Sequence, residues 1–160
     1  MTTTTTGSAD RPSEDRPGHN RPSRDGGDAL TLSAAARILE RFARQTVVVV
    51  GDVCLDEYVI GRAERMSREA PVPVLAWRRR VCLPGGAANP AVNAAVLGAH
   101  VRQVGVVGDD AAADELRSAL VAAGIDPTGL IVDPLRPTTV KMRVVAEGLS
   151  APQQVARIDR

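Results

Sequence analysis

Two adjacent glycines, Gly85-Gly86, restrict the folding of this chain more than any other feature of its sequence. The residues that follow, from Ala87 to Leu97, have the composition of a helix. The pair is therefore predicted to lie at a helix entrance, where main-chain N–H groups point outward. Because glycine has no Cβ, the backbone can approach a ligand closely there. This favours an oxygen-rich ligand such as a sugar or a phosphate; the alternative is that the glycines only allow tight packing of the helix on a sheet.

The order of the predicted strands and helices indicates an α/β fold. A continuous β-branched run, Val47 to Val50, is typical of a strand buried on both faces of a parallel sheet. Two short extended segments follow, Tyr58–Gly61 and Val72–Trp77, and the prolines near the second should confine them to edge or exposed strands. Helices are predicted over residues 30–45, 87–98 and 109–124, and further strands over 101–107, around 131, over 138–145 and over 155–158. The two short segments form an antiparallel excursion after the first strand.

Residues 1–28 differ in composition from the rest of the chain. They contain a threonine tract, three prolines and interleaved Arg and Asp residues, with almost no large apolar side chain. Such a segment cannot bury enough surface to offset its ordering entropy. We therefore expect a disordered tail over residues 1–28 and a folded region over residues 29–160.

The composition also limits the possible partners. The formal net charge is +1 and the tail has no basic block, which gives no support for a nucleic-acid partner. No apolar run is long enough to span a bilayer, and no apolar signal-peptide segment follows the N-terminus. The two cysteines, Cys54 and Cys82, are expected to be free thiols rather than a disulfide or a metal site. We expect a soluble, cytoplasmic protein.

The spacing of small residues around the glycine pair resembles a known family pattern. The pattern is the first signature of the ribokinase-like (phosphofructokinase B-type) carbohydrate kinases, and the matching residues are Gly85, Gly86, Ala87, Asn89, Ala91, Gly98 and Gly108. The resemblance implies a three-layer α/β fold with a small β-sheet lid inserted after the first core strand. Tyr58–Gly61 and Val72–Trp77 lie where the lid strands would be. In the family this lid covers the sugar and often forms a homodimer contact, and the cofactors are ATP and Mg²⁺.

Several longer strings are similar to one branch of that family, the kinase half of the bacterial heptose 7-phosphate kinases. They are residues 51–58, 65–74, 84–89, 138–144 and 157–159. Enzymes of this branch phosphorylate O1 of D-glycero-β-D-manno-heptose 7-phosphate on the route to nucleotide-activated heptose. The resemblance covers residues 30–160, nearly everything outside the tail.

Four positions are candidates for contact with the sugar. A carboxylate can accept two hydroxyl hydrogen bonds, and Asp56 follows a core strand, at the end where α/β sheets bind ligands. The resemblance places a sugar-binding Asp there; the alternative is that Asp56 caps a turn. The resemblance also implies that Gly85 and Gly86 lie against the sugar and donate main-chain N–H groups, and that Asn89 offers a donor and an acceptor.

Basic residues give a second group of candidates. Lys141 and Arg143 alternate with apolar residues on a predicted strand, so both should point to the same face. If that face lines the cleft, they could bind the phosphate of the substrate or the transferring phosphoryl group; otherwise they lie on an exposed strand face. Arg65 and Arg68 in the lid are similar candidates. The run Arg78-Arg79-Arg80 is most simply a solvated edge that discourages aggregation.

The second signature of the family, Asp-Thr-x-Gly-Ala-Gly-Asp, does not occur in the sequence. In the family it supplies the anion hole and the catalytic Asp, so no catalytic residue and no metal ligand is expected here, and the ATP-binding segment is absent. We expect the sugar-binding part of a kinase domain, inactive alone. The alternatives are a kinase for another sugar or nucleoside, and a non-catalytic sugar-phosphate-binding or dimerising fragment. A nicotinamide-dependent dehydrogenase is disfavoured because no G-x-G-x-x-G follows Gly51.

Overall fold

The computed structural model describes residues 31–148 and 151–160, so the tail predicted over residues 1–28 lies outside the described residues. The elements in chain order are α1 (Leu32–Phe42), β1 (Thr46–Val50), β2 (Val53–Met66), β3 (Pro73–Gly86), α2 (Ala88–Val96), β4 (His100–Val107), α3 (Ala111–Ala122), β5 (Ile125–Val132), β6 (Val140–Glu147) and β7 (Gln153–Asp159). Every helix and strand predicted within this part of the chain is present, with shifted ends.

The strands form two sheets. One has the order β1-β4-β5 and is wholly parallel, with Val47 opposite Val101 and Val101 opposite Ile125. The other has the order β3-β2-β6-β7, in which β2 runs antiparallel to β3 and parallel to β6, and β7 is antiparallel to β6. The predicted α/β fold with an antiparallel excursion is confirmed.

The excursion is larger than the sequence indicated. β2 and β3 each have 14 residues and pair from Val53 opposite Gly86 to Met66 opposite Pro73. The prediction of two short strands was wrong because charged residues at the outer part of β2 interrupt the apolar pattern, whereas main-chain pairing continues through them. Pro73 begins β3, an edge strand, where a missing N–H is tolerated. The prediction of an edge position was wrong for β2, which lies between β3 and β6.

The prediction that β1 is buried on both faces was also wrong. Val47 and Val49 pack against the core, but Val48 and Val50 are 56% and 72% exposed. The reason is that the core lies on one side of the sheet only, among small and branched residues of α2, α3 and the inner strand faces, including Ala91, Val101, Leu116, Leu120 and Ile125. A β-branched run favours a strand, but it does not determine what covers each face.

The entrance to α3 is fixed by side chains from two segments. Asp110 is the N-cap, and its Oδ1 accepts a hydrogen bond from the Ala113 N–H at 3.0 Å. Its Oδ2 accepts from the N–H of Thr138 at 3.0 Å, and the Thr138 hydroxyl accepts from the Gly108 N–H at 2.9 Å. These bonds join the start of α3 to the residues before β6. No helix among the described residues is long and apolar enough to cross a membrane.

Candidate functional site

Gly85 and Asp56 are in contact at the end of the β2–β3 ribbon. Gly85 is paired with Cys54 across the two strands and is buried. A Cβ built on Gly85 would overlap the carboxylate of Asp56 and would come within 2.8 Å of the Cys54 Sγ. The missing side chain therefore makes the space in which the Asp56 carboxylate lies, and the structure brings these two predicted residues together.

Gly86 makes the turn from β3 into α2, as predicted. Its φ of 60° is in the left-handed region that favours glycine, and a Cβ there would overlap the carbonyl oxygen of Asp52. That same oxygen accepts a hydrogen bond from the Ala87 N–H at 2.8 Å. Ala87 is the N-cap of α2 and forms no side-chain capping bond. The helix entrance therefore has main-chain donors without a side-chain acceptor at the cap.

Asn89 is the second residue of α2 and is exposed. Its amide forms no side-chain hydrogen bond with the residues that the structure describes. It lies at the same helix entrance as Gly86, and among the described residues no hydrogen bond joins it to Asp56. Its role as a sugar ligand stays a prediction.

Asp56 forms an ion pair that the sequence did not reveal. The Arg143 Nη1 donates a hydrogen bond to the Asp56 Oδ1 at 2.6 Å, and both side chains are 21% exposed. The guanidinium of Arg143 also lies 5.2 Å from the ring centroid of Tyr58, within cation–π range. The hydrogen bond to Asp56 and its negative charge raise the pKa of Arg143 above its ordinary value. Asp56 lies inside β2, so the alternative that it caps a turn is wrong.

The ion pair belongs to two rows of side chains that cross the sheet. Asp56, Lys141 and Asp159 are paired in register across β2, β6 and β7, and so are Tyr58, Arg143 and Arg157. Paired residues on neighbouring strands point to the same face of a sheet. We call Asp56, Lys141, Arg143, Arg157 and Asp159 the charged sheet face. Within it, Arg157 donates two hydrogen bonds to Asp159, at 2.7 and 2.8 Å.

The charged side chains of this face lie close enough to the Cys54 thiol to affect its pKa. Burial raises the pKa of Cys54, the carboxylate of Asp56 raises it further, and the cations of Lys141 and Arg143 oppose these effects. Cys54 and Cys82 are both free thiols, as predicted. Lys141 and Arg143 point to one face, as strand alternation indicated. The ion pair between Arg143 and Asp56 shows that Asp56 lies on the same face.

The opposite face of the same strands has its own charge cluster. Arg80 on β3 donates to Glu57 on β2 at 2.6 Å, and it donates two hydrogen bonds to Glu115 on α3 at 3.0 and 2.9 Å. Glu57 is buried, whereas Arg80 is exposed. Arg79, by contrast, lies by register on the same face as Asp56, and it forms a two-bond ion pair with Glu147. Arg79 and Arg80 are exposed on the edge strand β3, which agrees with the predicted solvated edge. The sequence did not indicate that carboxylates from other elements would pair with both of them.

Other basic candidates are not brought to the charged sheet face by any described contact. Arg65 and Arg68 lie at the far end of the β2–β3 ribbon, where they line an open depression of about 420 Å³ with Ser67. Neither forms a hydrogen bond or ion pair with the described residues. Across residues 31–148 and 151–160, no group of three or more His, Cys, Asp or Glu side chains is placed to hold a metal ion.

Comparison with known proteins defines the class of this molecule. Ribokinase from Arabidopsis thaliana, solved with ribose and ATP, superposes with a TM-score of 0.54 at 24% identity, over 72% of this chain and 35% of the ribokinase chain. The fold is thus part of the ribokinase-like α/β fold of carbohydrate kinases. Residues 44–155 match the pfkB family of carbohydrate kinases, and the chain belongs to that family.

Two curated relatives are similar over most of this chain. The "Bifunctional protein HldE" of Azorhizobium caulinodans is 49% identical over 114 residues, which are 71% of this chain and 23% of the relative. The protein of the same name from Pseudomonas aeruginosa is 48% identical over 121 residues, which are 76% of this chain and 24% of the relative. The chain therefore spans about a quarter of the length of these relatives and corresponds to an N-terminal part of the kinase.

Proposed function

We propose that this chain supplies the sugar-binding part of an ATP- and Mg²⁺-dependent kinase. Its substrate would be D-glycero-β-D-manno-heptose 7-phosphate, phosphorylated at O1 for nucleotide-activated heptose. The observation that carries the proposal is the Asp56 carboxylate, held by Arg143 in the space that Gly85 leaves open. The choice of sugar is supported by the 48–49% identity to proteins named HldE and by the branch-specific strings of the sequence.

Each candidate residue has a chemical part in sugar binding. Asp56 has two carboxylate oxygens; Arg143 engages Oδ1 at 2.6 Å, which leaves Oδ2 as an acceptor for a sugar hydroxyl. Gly85 and Gly86 let the ligand approach the main chain, and the entrance of α2 offers N–H donors. Asn89 would add a donor and an acceptor, and Lys141 a positive charge.

The described residues do not fit Mg²⁺, because they contain no cluster of acidic ligands. ATP supplies the phosphoryl group when bound, and phosphoryl transfer needs both substrates positioned and a base for the hydroxyl. We therefore propose that the 160-residue chain binds its sugar without turning over ATP. We place it in the cytoplasm, where ATP and sugar phosphates are available.

Calorimetric titration of the 160-residue chain with heptose 7-phosphate tests the proposal. We expect saturable binding, and a loss of affinity of about tenfold or more in Asp56→Asn, since a hydrogen bond to a charged group contributes about 1.5–3 kcal/mol. Asp133→Asn is the matched control, because Asp133 caps only a local turn before β6. Absence of binding by the wild type, or equal affinity of the two variants, would contradict the proposal.

A non-catalytic sugar-phosphate-binding or dimerising fragment is the second candidate. It is favoured by exposed apolar side chains on the β2–β3 ribbon, where Trp77 is 71% and Met66 is 58% exposed. A homodimer through this ribbon should sediment at twice the monomer mass, and Trp77→Lys should abolish it. A kinase for another sugar or nucleoside would instead show higher affinity for ribose, fructose phosphate or adenosine in the same titration.

A further inference from the structure

The cations of the charged sheet face are not equally engaged. Arg157 has two hydrogen bonds to Asp159 and is thereby neutralised locally. Arg143 uses only its Nη1, towards Asp56, although a guanidinium carries five N–H donors. The other donors of Arg143 have no partner among the described residues, and Lys141 forms no ion pair with them even though Asp56 and Asp159 flank it in register. Two cations with unused donors therefore lie beside the carboxylate proposed to bind the sugar.

We propose that Arg143 and Lys141 form a subsite for a phosphate monoester, and that Arg143 determines the preference for a phosphorylated sugar. This inference rests on the proposed function, because it assumes that Asp56 holds the hydroxyl groups of the same ligand. The planar fork of arginine matches phosphate oxygens with two parallel hydrogen bonds, whereas lysine adds a compact charge.

The local geometry suits an anion of this size. Lys141 and Arg143 are two positions apart on β6, so their Cα atoms are roughly 7 Å apart on one face, with β2 about 5 Å to one side. Arg143 is held both by Asp56 and by the Tyr58 ring, so little conformational freedom is lost when a ligand binds. Because only 21% of its side chain is exposed, water screens the charge less than at an open surface.

The charge balance also favours a dianion. The charged sheet face has three cations and two carboxylates, so its formal charge is positive before a ligand binds. A phosphate monoester carries a charge of about −1.5 to −2 at neutral pH and would offset that excess. A neutral sugar would leave both the positive charge and the spare donors of Arg143 without a counterpart.

A phosphate group at this subsite could come from the sugar or from the transferring end of ATP. Titrations of the 160-residue chain with heptose 7-phosphate, with unphosphorylated heptose and with a non-hydrolysable ATP analogue separate the two sources. We expect heptose 7-phosphate to bind at least tenfold more tightly than heptose. In Arg143→Met this ratio should fall by about ten- to hundredfold, the range of a charged hydrogen bond. The ATP analogue should bind neither the wild type nor the variant.

Three further variants control the experiment. Arg143→Lys keeps the charge without the fork and should retain part of the ratio, and Lys141→Met should lower it even if Arg143→Met does not fold. Arg102→Met is the matched control, because Arg102 forms a comparable 2.6 Å ion pair with Asp126 on the other sheet. It should leave the ratio as in the wild type. Thermal unfolding of each variant verifies that a folded chain is being titrated.

Several outcomes would overturn the subsite. Equal binding of heptose and its 7-phosphate by the wild type would reject it and leave the sugar site intact. An unchanged ratio in both Arg143→Met and Lys141→Met would do the same. Binding of the ATP analogue by the wild type that is lost in Arg143→Met would assign the two cations to the nucleotide. Binding of neither sugar would reject the proposed function, and the subsite with it.

Discussion

The position of the Asp56 carboxylate depends on the absence of a side chain at Gly85. The Asp56 carboxylate lies where a Cβ of Gly85 would be, and Arg143 holds it there. A carboxylate at 21% exposure loses part of its hydration, so a charged hydrogen bond is needed to keep it stable in that position. The orientation of the proposed sugar-binding group is therefore set by one missing side chain and one ion pair.

Replacement of Gly85 by alanine should damage binding more than stability. The atoms that a Cβ would meet include the far end of the Asp56 side chain, which can rotate away, so we expect a cost in unfolding free energy of roughly 1–3 kcal/mol. The displaced carboxylate would no longer face the ligand, so affinity for heptose 7-phosphate should fall at least about tenfold. Urea denaturation and calorimetry measure the two effects separately.

Gly124→Ala is the control for this prediction. A Cβ at Gly124 meets nothing within 4 Å, but the φ of 74° is unfavourable for alanine by roughly 1–2 kcal/mol. It should therefore lower stability to a similar extent without changing the affinity for sugar. Equal losses of affinity in the two variants would show that Gly85 acts only through stability.

At the scale of secondary-structure elements, charged side chains join segments that are distant in the sequence. Arg80 links β3 to buried Glu57 on β2 and to Glu115 on α3. Asp110 links the start of α3 to Thr138. Burial alone would raise the pKa of Asp110, but the hydrogen bonds from Thr138 and Ala113 outweigh that effect and hold the pKa below its ordinary value.

Asp110→Ala should destabilise the fold in a pH-dependent manner. Loss of an N-cap costs about 1–2 kcal/mol at pH 7, and the bond to Thr138 is lost as well. Because the folded-state pKa of Asp110 is depressed, its contribution is present above the unfolded value of about 3.9 and is lost as the pH falls through the folded value. The difference from wild type should therefore shrink below about pH 4.

Urea denaturation between pH 7 and pH 2.5 measures this effect, with Asp109→Ala as the control. Asp109 precedes the N-cap, is exposed and forms no hydrogen bond with the described residues. Its replacement should change the unfolding free energy by less than about 0.5 kcal/mol at any pH. A pH-independent loss in Asp110→Ala would indicate that packing, not the charged cap, is responsible.

The elements themselves could be predicted from the sequence, but their pairing could not. The sequence located the three helices, with shifted ends, and the glycine pair located the helix entrance of the candidate site. Alternation put Lys141 and Arg143 on one face. The contact between Arg143 and Asp56 depends on the parallel pairing of β6 with β2, and no local pattern specifies that register. For the same reason Arg157 and Asp159 were not recognised as neighbours of the site.

At the scale of the whole molecule, one surface of the parallel sheet lacks a packing layer within the described chain. We call Val48, Val50, Val104, Val106 and Ile131 the outer sheet face; register places them on one side of β1, β4 and β5. Three of the five have more than half of their surface exposed. The sequence predicted burial of β1 because a run of valines indicates a preference for strand structure. Burial, however, depends on what packs against the strand.

Contiguous apolar patches of this kind are uncommon on monomeric proteins and bind apolar probes. We therefore expect the 160-residue chain to enhance the fluorescence of a hydrophobic dye, and a Val48→Thr/Val50→Thr double variant to reduce that enhancement. Because both side chains are already exposed, stability should change by less than about 0.5 kcal/mol. Val49→Thr provides the contrast on the same strand: Val49 packs against the core, so a buried hydroxyl should cost about 1–3 kcal/mol without lowering dye binding. If dye binding is equal in the wild type and the double variant, the outer sheet face is covered in solution, and the one-sided core described for β1 is wrong.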